Sequence, residues 1–419
     1  MKRTKRYRLI IVGFMLLVFC CGCGGESAEA ERGLILACWQ NTEEIQTAVF
    51  QYNSTHPELP VTIREYYNPE VDIDQAIDQM NADLVAGRQV DLYCFGSLDL
   101  QSLINAGLVA DLTPYVSDDP DLCDENYFMH ILDLFRQDGT LYEMPSTFQL
   151  AGICMPAELI PEGMDGWTVE EYQALDGELA RSGQTILSEK PRIMLSSLAQ
   201  YSMDAFFSED RSRCQLEDPE FYRLLDFAKN HAAGNGGEAV GMDTWLMNVS
   251  EYAQHIQMIG GQPVYLGFPS PERSGPAVMS LVSYGVSSNT EHTEECWDFL
   301  KITLSGEFYL QAEHIQGFPL SRTVLEQEIE AFGYSTGDER SPVHGLTDSN
   351  GDYYVPLEEQ YVPYLYELLE SVNHARFRYA GVYALICEEG EAFLAGDQTA
   401  ETTAEVLQNR ITTYLEERK

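Results

Sequence analysis

Acidic, histidine and tyrosine residues are the places where this sequence could carry metal or catalytic chemistry. One acidic stretch has nearly the spacing of a calcium-binding loop and consists of Asp348, Asn350, Asp352 and Glu359. Calcium loops need glycine at the sixth position, where this stretch has Tyr353, so the Asn-Gly pair instead predicts a hairpin turn. The sequence has no H-x-x-x-H, H-E-x-x-H, G-x-S-x-G or nucleotide-loop motif. We therefore expect no metal, no cofactor and no enzymatic activity.

Aromatic residues near the ends of predicted strands could stack on the C–H faces of a sugar, whose hydroxyl groups need polar partners. The candidates are Trp39, Trp245, Tyr265, Phe268 and Tyr284. Each of them could instead be a core residue. Asp99 could accept hydrogen bonds from sugar hydroxyls, or it could be the N-cap of a helix that begins at Leu100. A sugar site is therefore one interpretation, and it depends on where the predicted elements place these side chains.

The first part of the soluble chain alternates between strands and helices. Strands are predicted at 34–39, 61–65 and 90–95, and apolar residues recur at helical spacing between them. Asn41 or Thr42 is expected to cap the first helix. This order predicts a parallel, helix-covered sheet, and such sheets bind ligands beyond the carboxyl ends of their strands. Trp39 and the segment 95–97 therefore lie where a ligand would bind.

The rest of the chain has the same α/β character. A helix is predicted to begin at Trp167-Thr168, and an α-rich part continues to about residue 261. Strands are predicted at 264–268 and 277–286, and amphipathic helices at 294–304, 358–371 and 399–417. About 390 residues beyond the N-terminal segment are enough for two domains.

The N-terminal segment has the pattern of a secretion signal. Its apolar run at 9–19 is shorter than the about 20 residues that a membrane-spanning helix needs. The run is preceded by the basic residues Lys2, Arg3, Lys5, Arg6 and Arg8 and followed by Cys20, Cys21, Gly22 and Cys23. This segment resembles the lipobox of bacterial lipoproteins, in which a small residue precedes the cysteine that becomes diacylated. The resemblance implies lipidation at Cys23, with Cys21 as the second choice and Cys20 disfavoured by the bulky Phe19.

Charge and cysteine content exclude several classes of partner. The chain has 67 Asp and Glu against 25 Lys and Arg, so its surface repels nucleic acid and anionic lipid head groups. The cysteines beyond the leader are odd in number and widely spaced, which indicates neither a disulfide framework nor a zinc module. They are Cys38, Cys94, Cys123, Cys154, Cys214, Cys296 and Cys387.

Short motifs occur in order along nearly the whole chain beyond the leader. In the first half they are AGRQVDLY (86–93), LINAGLVADLTPY (103–115), DGTLYEMP (138–145) and WTVEEY (167–172). In the second half they are LGFPS (266–270), CWDFLK (296–301), GFPL (317–320) and AGDQTAE (395–401). Together, behind a lipobox, these motifs resemble family 1 extracellular solute-binding proteins, the receptors of bacterial sugar importers.

This resemblance implies an α/β, two-lobed periplasmic-binding-protein-like (type II) fold with a hinge and an interlobe ligand cleft. The three crossovers between the lobes would fall near 146–150, 265–271 and 305–308. The implied domains are a lipoprotein signal peptide (1–22), a lipid-anchored tether (23–32), lobe 1 (33–148 plus 271–305) and lobe 2 (149–270 plus 306–419).

The resemblance also implies two further site residues. Phe95 matches the position where maltodextrin-binding proteins place a stacking aromatic, although a buried strand end is the alternative. Gln149 falls at the first hinge, where a polar side chain faces the cleft in the related proteins. With Trp39, Asp99 and the aromatic residues of the second lobe, these complete the predicted ligand-binding set.

The implied function is that of a monomeric, lipid-anchored protein on the outer face of the cell membrane. It would capture a carbohydrate, expected to be an oligosaccharide, by hinge closure and deliver it to the permease subunits of an ABC transporter, without nucleic acid. A binding protein for iron, another anion or a peptide is the alternative, because Tyr66-Tyr67 and Tyr353-Tyr354 resemble paired-tyrosine iron sites. A secreted carbohydrate-active enzyme is the remaining alternative, although carboxylate pairs are unavoidable in so acidic a chain.

Overall fold

The computed structural model describes residues 33–68, 71–85, 88–95, 100–208, 211–231, 237–311, 315–332, 357–377 and 379–417. The predicted leader with Cys23, the predicted site residue Asp99 and the predicted hairpin at 348–354 lie outside these residues. Within the described ranges, every helix is too short or too polar to cross a membrane.

The strands are short except for one of ten residues. In chain order they are β1 (Leu34–Cys38), β2 (Val61–Glu65), β3 (Leu92–Cys94), β4 (Met144–Pro145), β5 (Thr147–Pro156), β6 (Gln184–Thr185), β7 (Glu238–Ala239), β8 (Met242–Leu246), β9 (Pro263–Leu266), β10 (Ala277–Met279), β11 (Ser283–Val286), β12 (Phe318–Pro319) and β13 (His374–Ala375).

The α-helices range from 5 to 17 residues in length. They are α1 (Glu43–Thr55), α2 (Ile73–Val85), α3 (Leu100–Asn105), α4 (Thr113–Asp118), α5 (Met129–Asp133), α6 (Val169–Leu179), α7 (Pro191–Tyr201), α8 (Pro219–Asn230), α9 (Val249–Ile259), α10 (Thr293–Thr303), α11 (Gly306–Gln311), α12 (Arg322–Phe332), α13 (Val362–Ser371), α14 (Ala380–Ala395) and α15 (Ala400–Glu416).

The first sheet has the strand order β2-β1-β3-β11-β4. β1 lies parallel to both β2 and β3, whereas β11 runs antiparallel to β3 and β4. Both faces of β1 are buried, as its continuous apolar sequence predicts. α1 begins at Glu43. The hydroxyl of the preceding Thr42 accepts from the Ile45 amide, so Thr42 and not Asn41 is the N-cap.

The second sheet is built around β5, which pairs with β8, β9, β10 and β12, while β13 continues it beside β10. Side chains of β5 alternate between two cores. Leu150 and Cys154 face a core that is continuous with that of the first sheet. Ala151, Ile153 and Met155 face a separate core.

Two neighbouring chain segments connect the sheets. β4 leads through Ser146 into β5, and β10 leads through residues 280–282 into β11. The Ser146 amide and hydroxyl both donate to the Val282 carbonyl, at 3.2 and 3.1 Å. The single strand predicted at 277–286 is therefore two strands in different sheets, because residues 280–282 cross between them. The lobe boundaries stay a prediction. The implied lobe 1 includes 271–305, whereas strand pairing places Ala277–Met279 in the second sheet.

Candidate ligand-binding site

Strand pairing in the second sheet places two polar residues, Gln149 and Arg376, in one row on either side of Met279. Gln149 in β5 is the register partner of Met279 in β10. Ala375 in β13 is the partner of Val278, and the Arg376 amide donates to the Val278 carbonyl at 2.9 Å, so Arg376 follows beside Met279. Strands lie about 5 Å apart, so the Cα atoms of Gln149 and Arg376 are about 10 Å apart on one face.

Gln149 is fully buried, and its amide has a defined orientation. Its Nε2 donates to the Gln316 carbonyl at 3.1 Å, and that carbonyl also accepts from the Thr147 hydroxyl at 2.8 Å. A carbonyl can only accept, so Oε1 must point away from it. Oε1 has no hydrogen-bond partner among the described residues. An unpartnered buried acceptor costs about 1–3 kcal/mol, and a donor from a ligand or water removes that cost.

Trp245 is the exposed aromatic residue of this face. It pairs with Ala151, two residues along β5 from Gln149 and so on the same side of the sheet. The indole is 45% exposed, and its strand β8 pairs only with β5 among the described strands. Ala151 and Ala277 are neighbours across β5 and β10, and both are buried in the core on this side of the sheet, so the exposed part of the indole lies at the margin of that core. The ring can therefore offer a flat apolar surface to a ligand.

Tyr201, the last residue of α7, packs against the same face. Its ring stacks on Phe268 with a centroid separation of 5.3 Å, and its buried hydroxyl has no hydrogen-bond partner in the described part of the chain. Burial raises the pKa of this hydroxyl, whereas the positive charge of Arg376 and the nearby indole N–H of Trp245, which lies outside standard hydrogen-bond geometry, lower it. We call Gln149, Tyr201, Trp245 and Arg376 the second-sheet face.

Asp243 lies further along β8 on the same side of the sheet. Desolvation and, to a smaller extent, the charge of Glu189 raise the pKa of its carboxyl from 3.8 to about 6, despite an opposing hydrogen bond from Ser197. Part of this carboxyl is therefore neutral near pH 6, where it can donate as well as accept a hydrogen bond.

The carboxyl end of the first sheet carries a second group of aromatic and polar residues. Trp39 follows β1 and stacks on Tyr67 with a centroid separation of 5.2 Å and an interplanar angle of 12°. Asn41 Oδ1 is buried and has no partner among the described residues. Glu44 accepts from the Ser146 hydroxyl at 2.6 Å, and desolvation raises the pKa of Glu44 from 4.5 to about 7 despite that hydrogen bond. We call Trp39, Asn41, Glu44 and Tyr67 the first-sheet edge.

The other predicted site residues are buried. Phe95 is 3% exposed and packs on Tyr93, with its ring close to Gly285. Tyr265 is held by a 2.8 Å hydrogen bond with His255, and Phe268 lies under Tyr201. Tyr284 is fully buried in the core of the first sheet, and burial raises its pKa well above 10. Ligand contact at these positions stays a prediction that would require the rings to become accessible.

Sequence reasoning did not find Asn41, Tyr201 or Arg376 as site residues. The sequence pattern indicates only a possible helix cap at Asn41 and places Tyr201 only in an α-rich region. Arg376 is brought beside Gln149 by a two-residue strand, which leaves no local sequence pattern. Within the described residues, no group of three or more His, Cys, Asp or Glu side chains is arranged to hold a metal ion.

Comparison with known proteins identifies the fold. No protein-family model matches the sequence, and no curated protein sequence is significantly similar to it. The chain is similar in structure to the sugar-binding protein MalE from Xanthomonas citri, with a TM-score of 0.59 and 14% identity over 92% of this chain and 98% of that one.

Two further solved structures match the fold over the same extent. An ABC substrate-binding protein from Listeria monocytogenes in complex with cycloalternan has a TM-score of 0.55 and 14% identity over 91% of this chain and 98% of that one. An extracellular solute-binding protein family 1 member from Alicyclobacillus acidocaldarius has a TM-score of 0.54 and 12% identity over the same shares. The chain therefore has the two-sheet α/β fold of the extracellular substrate-binding proteins, and the fold class predicted from the sequence is confirmed.

Proposed function

We propose that this protein is an extracytoplasmic solute-binding protein that captures a carbohydrate and delivers it to the permease subunits of an ABC transporter. The observation that carries the proposal is the second-sheet face, where an exposed indole lies beside a buried amide oxygen and a buried phenol hydroxyl without partners in the described chain. The indole can stack on a sugar C–H face, and the oxygens can bind sugar hydroxyls.

The binding partners of the structural relatives support a carbohydrate ligand. The Listeria protein was solved with cycloalternan, and the Xanthomonas protein is a sugar-binding protein. Proteins of one fold can have different functions, so the second-sheet face is the stronger support.

Ligand capture would use the crossover between the sheets. Ser146 touches both Glu44 of the first-sheet edge and Val282 of the second crossover segment, and Gln149 lies only three residues beyond it. A sugar that contacts Asn41 on one side and Gln149 on the other would favour a closed arrangement by its greater affinity for that state.

The anchor is also part of the proposal. Diacylation of Cys23 after removal of residues 1–22 would hold the protein at the outer face of the membrane, with 23–32 as a tether. We expect Cys23→Ala to abolish incorporation of labelled palmitate, whereas the matched Cys20→Ala variant keeps it. Full incorporation by the Cys23→Ala protein would refute this assignment.

Binding can be tested with the purified soluble body. A panel of neutral and acidic mono- and oligosaccharides should contain a ligand that raises the unfolding temperature and gives a calorimetric heat. Trp245→Ala should lower the affinity for that ligand by about 30-fold, the equivalent of about 2 kcal/mol. Phe50→Ala removes an aromatic ring that is 70% exposed on α1, outside both surfaces, and should leave affinity unchanged. A broad panel without any thermal shift or heat would contradict the proposal.

A further inference from the structure

Arg376 is the half-buried cation that the described structure leaves without a partner. Four other half-buried cations pair with carboxylates, namely Arg136, Arg211, Arg322 and Arg410. Two donate to backbone carbonyls, namely Arg64 and Lys229. The side chain of Arg376 has neither kind of contact within the part of the chain that the structure describes. In a chain with 67 acidic residues, a half-buried guanidinium without a carboxylate is unexpected.

The position of Arg376 links this charge to the second-sheet face. It lies in the same row as Gln149, about 10 Å away, and close to the unpartnered hydroxyl of Tyr201. The exposed Trp245 indole lies beside Tyr201 as well. A ligand that stacks on this indole can therefore reach a cation and an unpartnered acceptor from the same position.

We propose that the sugar ligand carries a carboxylate, as a hexuronic acid residue does, and that Arg376 binds this carboxylate. A guanidinium presents paired N–H donors that match the two oxygens of a carboxylate. This inference rests on the proposed function and names the ligand class of the same site. A single negative charge fits better than a doubly charged phosphate, because the strongly acidic protein repels each added charge.

The carboxyl of Asp243, on the same side of the sheet, does not form an ion pair with Arg376. Asp243 lies in β8, which is on the opposite side of β5 from β10 and β13. Its partner in β5 is Ile153, four residues further along that strand than Gln149. Strand spacing and rise put the Cα atoms of Asp243 and Arg376 about 20 Å apart, too far for a direct ion pair. Among the described residues Arg376 forms no ion pair, so its guanidinium can bind a carboxylate of a ligand.

The test compares each acidic sugar with its neutral methyl ester, so that shape is matched and only the charge differs. The probes are glucuronate, galacturonate and trigalacturonate with their methyl esters, together with glucose 6-phosphate. We expect the wild-type protein to bind a uronate at least about 10-fold more tightly than its ester, in line with a charge-assisted hydrogen bond. This preference should weaken between about 0.05 and about 0.5 M NaCl. Equal affinities, a preference for the ester or a preference for the phosphate would overturn the inference.

Variants assign the preference to Arg376. Arg376→Gln should weaken uronate binding by about 10- to 100-fold and change ester binding by less than about 2-fold. The uronate affinity of Arg376→Lys should lie between those of the wild type and Arg376→Gln, because lysine keeps the charge and lacks the paired donors. The control Arg181→Gln removes an exposed charge from the turn after α6 and should keep wild-type affinities. An unchanged uronate preference in Arg376→Gln would refute the assignment, and if that variant does not fold, the wild-type ratio of acid to ester decides.

The outcomes separate this inference from the proposed function. Binding of a neutral oligosaccharide without any uronate preference would leave the proposed function intact and reject the ligand class. Absence of binding to every sugar of both panels would reject both.

Discussion

The first-sheet edge and the second-sheet face both combine aromatic and polar side chains, but they differ in how many of these already have partners. At the first-sheet edge, Trp39 stacks on Tyr67 and Glu44 accepts from Ser146, so most groups bind other parts of the protein. On the second-sheet face, Gln149 Oε1 and the Tyr201 hydroxyl are unpartnered among the described residues, and Trp245 is 45% exposed.

This difference indicates a division of roles. Groups with internal partners contribute to stability, and a ligand would have to replace those contacts. Groups without partners cost stability until something binds them, so they are the ones that gain most from a ligand. We therefore expect substitutions at the first-sheet edge to change mainly stability and those on the second-sheet face to change mainly affinity.

The largest expected effect is the pH dependence contributed by Glu44 at the first-sheet edge. Its pKa is about 7 in the folded protein and 4.5 ordinarily, so the folded state binds the proton more tightly. The contribution of Glu44 to the free energy of unfolding is therefore most favourable below about pH 4.5. It declines as the pH rises through about 7 and is constant above that. Glu44→Gln should remove up to about 3 kcal/mol of this decline.

The measurement is the free energy of unfolding of the two proteins by denaturant between about pH 4.5 and pH 8. Glu43→Gln is the matched control, because it removes the same charge from the preceding, exposed position. If Glu44→Gln and wild type lose stability in parallel over this range, the buried carboxyl at the crossover is not the origin of the pH dependence.

Substitution of the two tryptophans separates the regions directly. Trp39→Leu removes a half-buried ring and its stacking on Tyr67, so we expect a loss of about 1–2 kcal/mol in the free energy of unfolding. Trp245→Leu removes a ring that is 45% exposed and should cost less than about 0.5 kcal/mol. Equal losses, measured in denaturant titrations at one pH, would argue against the division of roles.

The smallest effect concerns the two side chains that share the Gln316 carbonyl. Thr147→Val removes one donor to it and should cost about 1 kcal/mol of stability while affinity stays the same. Gln149→Met removes the other donor together with the unpartnered Oε1, so stability should change less, whereas affinity falls by about 10-fold. Calorimetry on both variants with the ligand found in the sugar panel makes this comparison. If ligand affinity falls in Thr147→Val and is unchanged in Gln149→Met, Gln149 is not the ligand-binding residue of the pair.

Local sequence patterns predicted most of the first sheet. β1 and α1 follow from a continuous apolar run and from apolar residues at helical spacing, and the structure confirms both. The crossing at 280–282 was missed because β10 and β11 together form one apolar stretch, and only their partners in different sheets reveal the turn.

The second-sheet face was less accessible to sequence reasoning. Trp245 and Gln149 were singled out, although the sequence could not tell whether either was exposed. Arg376 joins them only through the pairing of β13 with β10, about 100 residues earlier in the chain, and such pairing depends on tertiary contacts that propensity does not encode.

The central claim, that the second-sheet face binds the ligand, can be tested most directly by nuclear magnetic resonance of the tryptophan indole N–H groups. The chain has four tryptophans, and two are internal controls: Trp167 is fully buried and donates to the Gly267 carbonyl, and Trp297 is 6% exposed. On titration with a sugar that binds, the Trp245 resonance should move most, while those of Trp167 and Trp297 stay in place. A bound sugar that leaves the Trp245 resonance unmoved would contradict the account.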